Sequence, residues 1–114
     1  RDEPGAMIRW PDFDRAAEET VAGAISIPPE ANLVITEGNY LLLDQPWWRQ
    51  LRALLDEVWY VDAPVDVLRR RLVERQLAGG RSEKEAVRHV VESDLRNAEL
   101  VTRTRHLADR TVPT

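Results

Sequence analysis

No cysteine occurs in the 114 residues, so disulfides, thiolate metal sites and cysteine nucleophiles are excluded. The two histidines, His89 and His106, stand 17 positions apart with no further histidine or cysteine beside them, which does not make a zinc set. No serine sits in a G-x-S-x-G turn, so the commonest hydrolase elbow is missing. No apolar run approaches the roughly 20 residues that span a bilayer, and the first residues lack the apolar stretch of a signal peptide. A cytoplasmic protein that binds no membrane is the expectation. Basic residues number 16 against 20 acidic ones, for a formal net charge of -4, which gives no electrostatic support for binding nucleic acid. Glycine is scarce, with five in all, and Lys84 is the single lysine beside 15 arginines.

What is present alternates between strand and helix. Residues 1–9 read as loop around Pro4-Gly5, and Trp10 to Arg15 as a compact aromatic and charged knot. Val21 to Ile27 is a short strand, ended by Pro28-Pro29. Asn32 to Thr36 and Val58 to Asp62 are continuous apolar runs of the kind buried on both faces of a parallel sheet. Asp44 is placed to cap a helix that tolerates the early Pro46, with Trp47 or Trp48, Leu51, Leu54 and Leu55 on its inner face. A second helix spans about Val65 to Ala78, with Val65, Leu68 and Leu72 inward and Gly79-Gly80 as its stop. Ser82 and Glu85 form a capping box. A long helix then runs towards Leu107 on an inner face of Val87, Val90, Val91, Leu95, Ala98 and Val101, and a last short strand lies at 108–112. Such alternation predicts an α/β fold with a mostly parallel sheet, whose ligands bind at the carboxyl ends of the strands.

That rule directs attention to Glu37, Gly38 and Asn39 after one strand and Asp62 after the next. An acid directly after Leu33-Val34-Ile35-Thr36 at a strand end has the form of a Walker B carboxylate, which holds magnesium directly or through water. The same acid can equally be a strand-end carboxylate bonded to nearby backbone donors. Gly38 permits a tight turn, and Asn39 can both donate and accept. Asp12, Asp14 and Arg15 around Phe13 would grip a polyhydroxylated or anionic small molecule, or else form a turn with local charge pairing. Arg69, Arg70, Arg71, Arg75 and Arg81 make a basic stretch within an acidic chain. Their forked donors suit phosphoryl oxygens. A solvated helix face with Asp66–Arg70 and Arg70–Glu74 pairs is the competing reading, weakest for Arg71 and Arg75, which share a face. Asp94 and Asn97 lie beside the apolar stripe of the last helix, where a buried bond to a neighbouring element is preferred over a ligand contact.

The runs Leu33 to Asp44 (LVITEGNYLLLD), Leu55 to Asp62 (LDEVWYVD), Arg70 to Arg75 (RRLVER) and Ser93 to Ala98 (SDLRNA) resemble the P-loop kinases of the phosphoribulokinase, uridine kinase and pantothenate kinase group, nearest its nucleoside/fructose-kinase-like bacterial branch. The resemblance covers about residues 10–112, and the EGNYLLL segment is its most specific part. It implies a P-loop NTPase-type three-layer fold and ATP- and Mg2+-dependent phosphoryl transfer to a hydroxyl of a small metabolite acceptor. Glu37 would be catalytic at the metal. Arg71 and Arg75 would be catalytic and nucleotide-binding on a lid helix. Asp12, Asp14, Arg15, Asn39 and Tyr40 would face the acceptor.

The departure is the phosphate loop. No G-x-x-x-x-G-K-[ST] motif occurs, and Lys84 sits in a capping turn instead. The family's acidic catalytic base is missing as well. The chain is therefore expected to be one domain, 1–114, forming the C-terminal portion of such a kinase without its first βα unit: loop at 1–9, an acceptor-side and Walker B-like region at 10–44, and lid and C-terminal helices at 45–114. It is expected to be inactive alone and to self-associate through an exposed sheet edge. A non-catalytic binding or assembly module that keeps the fold is the alternative.

Overall fold

The computed structural model describes residues 8–14 and 19–114. They fall into two compact units that divide between Thr36 and Glu37.

The first unit is built on an antiparallel pair, β1 (Ile8–Asp14) and β2 (Glu19–Ile27). Ile8 pairs with Ile27 and Asp14 with Glu19, and the register shifts between Trp10 and Asp12. Pro11 falls at that shift, and it has no N–H to give a ladder. Gly23, with φ of 66°, lies in the opposing strand and supplies the left-handed conformation a bulge needs. Two expectations are corrected here. Ile8 and Arg9 belong to a strand, not to a loop, and Trp10 to Asp14 continue it instead of forming a knot. Their partner β2 supplies ladder hydrogen bonds that local composition could not reveal. Arg15 lies outside the described residues.

Pro28-Pro29 ends β2 as expected, but Asn32 to Thr36 is not a strand. The run has no ladder partner among the described residues, and Ile35 is 84% exposed and Leu33 77%. A parallel strand is held only by its neighbours, so an apolar run without one stays irregular and wet.

The second unit begins with turns at 39–42 and continues into α1 (Pro46–Ala53). Pro46 occupies the first turn, where its missing N–H costs nothing. Gln45, not Asp44, is the N-cap, and it makes no side-chain cap bond. Asp44 is instead drawn to Arg49 at 2.6 Å. Trp48, Leu51 and Leu55 are half-buried, whereas Leu54 is exposed because the helix has already ended at Ala53.

Next come β3 (Trp59–Asp62) and α2 (Val65–Ala78), the latter with the predicted ends. The α2 terminus is a Schellman motif: Arg81 N–H donates to Gln76 O at 3.2 Å and Gly80 N–H to Leu77 O at 3.0 Å, with Gly80 at φ of 95°. Leu68 and Leu72 face inward, but Val65, in the first turn beyond the end of β3, is exposed.

The capping box at Ser82 and Glu85 opens α3 (Glu83–His89) as expected. The single long helix does not materialise. A π-turn at Val90–Asp94 separates α3 from α4 (Leu95–Thr102), and a 3-10 turn follows at Arg105–Leu107. The wider π-turn shifts the inner face, so Ala86 and Val90 are fully buried while Val87 and Val91 are exposed.

The chain closes with β4 (Arg110–Pro113), parallel to β3 with Trp59 opposite Arg110 and Asp62 opposite Pro113. β3, the intervening helices and β4 thus form a βαβ crossover. One face of β3 is covered, with Tyr60 Oη lying 3.2 Å from Thr102 Oγ1 of α4. Trp59 and Val61 on the other face are 54% and 64% exposed, contrary to a strand buried on both sides.

Candidate functional site

The carboxyl ends of β3 and β4 carry a polar cluster. Thr114 donates its backbone N–H to Asp62 O at 2.8 Å and its Oγ1 hydroxyl to the same oxygen at 3.0 Å. Arg71 reaches over from α2 and donates Nη1–H to Thr114 Oγ1 at 3.0 Å. Arg105 from the 3-10 turn pairs with Asp62 Oδ2 at 3.1 Å. Arg71 is therefore brought to the strand ends, where a parallel sheet collects ligands. Arg75 lies one turn further along the same helix face. It is exposed and makes no side-chain hydrogen bond or ion pair among the described residues, so its whole donor fork is available.

Arg70 keeps only a long pair to Glu74, at 3.9 Å. The solvated-face reading therefore holds for Arg70, with Glu74 as its one partner among the described residues. Arg105 and Thr114 join the cluster without having been singled out from sequence. The only signal for them was Asp62 at the end of its strand.

Glu37 is exposed and has no hydrogen bond or ion pair among the described residues, including none to Arg71 or Arg75. Gly38 does not use a left-handed conformation, and an added Cβ would meet only the Leu41 side chain at an ordinary 3.4 Å. The turn after Glu37 therefore does not require glycine. Asn39 is exposed, while the half-buried Tyr40 packs its ring on Trp48 with centroids 5.9 Å apart and planes inclined at 54°. Asp12 and Asp14 lie on β1 of the other unit.

A cavity of about 250 Å³ opens between Leu43–Gln45 and the end of α4, lined by Leu43, Asp44, Leu100, Thr104 and His106 among others. None of the predicted site residues lines it. Among the described residues no group of three or more His, Asp or Glu side chains is placed to hold a metal ion.

No family model matches the chain. It is 32% identical over 105 residues to the ATP-dependent kinase-like protein notR' of Aspergillus versicolor, a match covering 90% of this chain and 61% of that protein. Among solved structures, a protein assigned as a fructose transport system kinase from Silicibacter sp. is 40% identical, with a TM-score of 0.84, over 94% of this chain and 52% of that one. The Saccharomyces cerevisiae protein YFH7, described as a P-loop containing kinase with a circular permutation, shares the fold at a TM-score of 0.77 and 24% identity, over 95% of this chain and 35% of that one. The fold is thus α/β and corresponds to part of a P-loop kinase. The sequence likenesses are to proteins named as kinases, and the chain spans 61%, 52% and 35% of the lengths of these three proteins.

Proposed function

We propose that these 114 residues are the lid-bearing, C-terminal portion of a P-loop kinase of the phosphoribulokinase and uridine kinase group, which phosphorylates a hydroxyl of a sugar, nucleoside or pantothenate-like metabolite. The observation that carries this reading is the placement of Arg71 at the carboxyl ends of β3 and β4, with Arg75, which has no partner among the described residues, one turn away on α2.

Two guanidinium groups on one helix face fit a polyphosphate, because each offers a planar fork to phosphoryl oxygens. Glu37, exposed and without a partner among the described residues, fits Mg2+, an ion that retains several waters and takes only one or two carboxylates beside substrate phosphates. Mg-ATP would supply the γ-phosphoryl group: the acceptor oxygen would bond to the γ-phosphorus as the bond to the β–γ bridging oxygen breaks, ADP would leave with that oxygen, and the acceptor's hydroxyl proton would pass to a base or to water. Arg71 and Arg75 hold and neutralise the charge that spreads over the phosphoryl oxygens during transfer. In this reading Asn39 and Tyr40, next to Glu37 in the second unit, orient the acceptor. The chain by itself, without a glycine-lysine phosphate loop, gives no appreciable turnover.

The test is ADP release from Mg-ATP with a panel of sugars, nucleosides and pantothenate. A longer protein in which a strand and phosphate loop precede Arg1 should turn over at least one acceptor and lose that activity on Glu37→Gln. The 114 residues alone should not exceed their own Glu37→Gln control. Failure of every acceptor with the longer protein refutes the kinase reading, and turnover by the isolated chain refutes the need for the loop.

A further inference from the structure

The π-turn has a consequence at one buried carboxylate. The Asp94 side chain is only 14% exposed, and both its oxygens are engaged. Oδ2 accepts from Gln76 Nε2 of α2 at 3.1 Å, and Oδ1 lies 3.4 Å from His89 Nε2. His89 and Asp94 are five residues apart. In an α-helix that spacing points the two side chains about 140° apart around the axis. Here Leu95 N–H donates to Val90 O, five residues back, and the extra residue in the turn brings the imidazole round to the carboxylate. Ala86 in α3 and Val90 at the start of the π-turn are fully buried. A single carboxylate thus ties α2 to the junction of α3 and α4. Its bond to α2 is made at Gln76, adjacent to Arg75 and about one and a half turns from Arg71.

We propose that Asp94 is a positioning residue. Through Gln76 it fixes the rotation of α2, and so the direction in which Arg71 and Arg75 are presented, while the π-turn exists to give its second oxygen a donor in His89. The role in transfer rests on the kinase reading above; the clamp itself rests on geometry alone. Neither Asp94 nor Gln76 touches substrate.

Two measurements test it. In the longer, active protein, Asp94→Leu and Gln76→Leu should each lower kcat on the order of tenfold to a hundredfold, the penalty for misplacing groups that act on the transition state. KM for the acceptor should stay close to wild type. The double variant should be no worse than Asp94→Leu alone, since both substitutions break the Gln76–Asp94 contact. Asp94→Asn should rescue, because its amide oxygen still accepts from Gln76 and its NH2 can donate to a neutral His89. Amide exchange in the 114-residue chain is the second measurement, and it needs no activity. The same substitutions should speed exchange through the Arg71 to Gln76 segment by a common, non-additive factor.

Additive losses of kcat, a change confined to KM, or failure of Asp94→Asn to rescue would each overturn the positioning role. Unchanged exchange in α2 would overturn the clamp. A wild-type longer protein with no turnover removes the kinase reading and the transfer role with it, and the exchange result alone then decides the clamp. If Asp94→Leu fails to fold, Gln76→Leu, at a half-buried position, carries both arms.

Discussion

Asp109 Oδ2 lies 2.7 Å from the backbone N of Val58 and accepts its hydrogen bond, while Asp109 returns its own N–H to Val58 O at 2.8 Å. Arg52, near the end of α1, donates Nη2–H to the same Oδ2 at 2.8 Å. One aspartate therefore fixes where β3 and β4 begin and ties both to α1, and the register of the two strands determines that Asp62 and Thr114 meet at their far ends. Asp109→Ala leaves the N–H of the buried Val58 without a partner and should destabilise the chain by about 1–3 kcal/mol. Asp109→Asn, which keeps an acceptor, should lose less. Arg52→Ala removes a pair that is largely solvent-screened and should cost no more than about 1 kcal/mol. Urea unfolding midpoints of the three variants rank these effects, and equal losses for Asp109→Ala and Arg52→Ala would contradict the assignment.

The end of α2 gives a paired prediction. Gly80 holds φ of 95° with open space around it, so Gly80→Ala meets no clash and pays only backbone strain, roughly 1 kcal/mol. Gly79, at φ of -77°, is in a conformation any residue adopts. Gly79→Ala should be neutral or slightly stabilising. Thermal melts that failed to separate the two would argue against the Schellman geometry.

The capping box makes a third. Ser82 Oγ accepts from Glu85 N–H at 3.3 Å, and Glu85 Oε2 accepts from Ser82 N–H at 3.2 Å. Ser82→Ala should cost about 1 kcal/mol and Ser82→Asp close to nothing. Because both groups are exposed, the loss should appear as fraying of α3, visible as faster amide exchange over its first turn.

Arg75 separates function from stability. With no partner among the described residues, Arg75→Ala should leave the melting temperature unchanged yet lower kcat of the longer, active protein by about a hundredfold or more. Arg71→Ala also gives up the bond to Thr114 and should show both losses. A kcat near wild type for Arg75→Ala would remove it from the transfer site.

The uncovered apolar surface predicts association. Leu33, Val34 and Ile35 are exposed with no ladder partner among the described residues, and Trp59 and Val61 are exposed on one face of β3. Such strand-forming surface tends to recruit another chain. Sedimentation of the isolated chain should reveal concentration-dependent oligomers, and Leu33→Lys with Ile35→Lys should shift it towards monomer. A monomer at every concentration would be the contrary result.

How far the sequence alone reached depended on how local each interaction is. The span of α2, its glycine stop, the capping box and the positions of β3 and β4 are written in short-range signals: helical spacing, a left-handed glycine, a serine three residues before a glutamate. The sheet order rested on the alternation of element types, and the parallel pairing of β3 with β4 agrees with it. The buried bond expected at Asp94 is present, as its place beside the apolar stripe implied.

Tertiary structure decided the rest, because the missing information was who the partners are. The strand at Trp10 to Asp14 depends on β2, and the irregular state of Asn32 to Thr36 goes with having no ladder partner among the described residues. The π-turn pays for its weaker hydrogen-bond geometry through contacts of Val90, Ala86 and Asp94 that no helical wheel contains. Arg105 and Thr114 join Asp62 only when two strands distant in sequence are laid side by side. The sequence offered the candidates for phosphate contact; packing placed Arg71 at the strand ends and left Arg75 without a partner among the described residues.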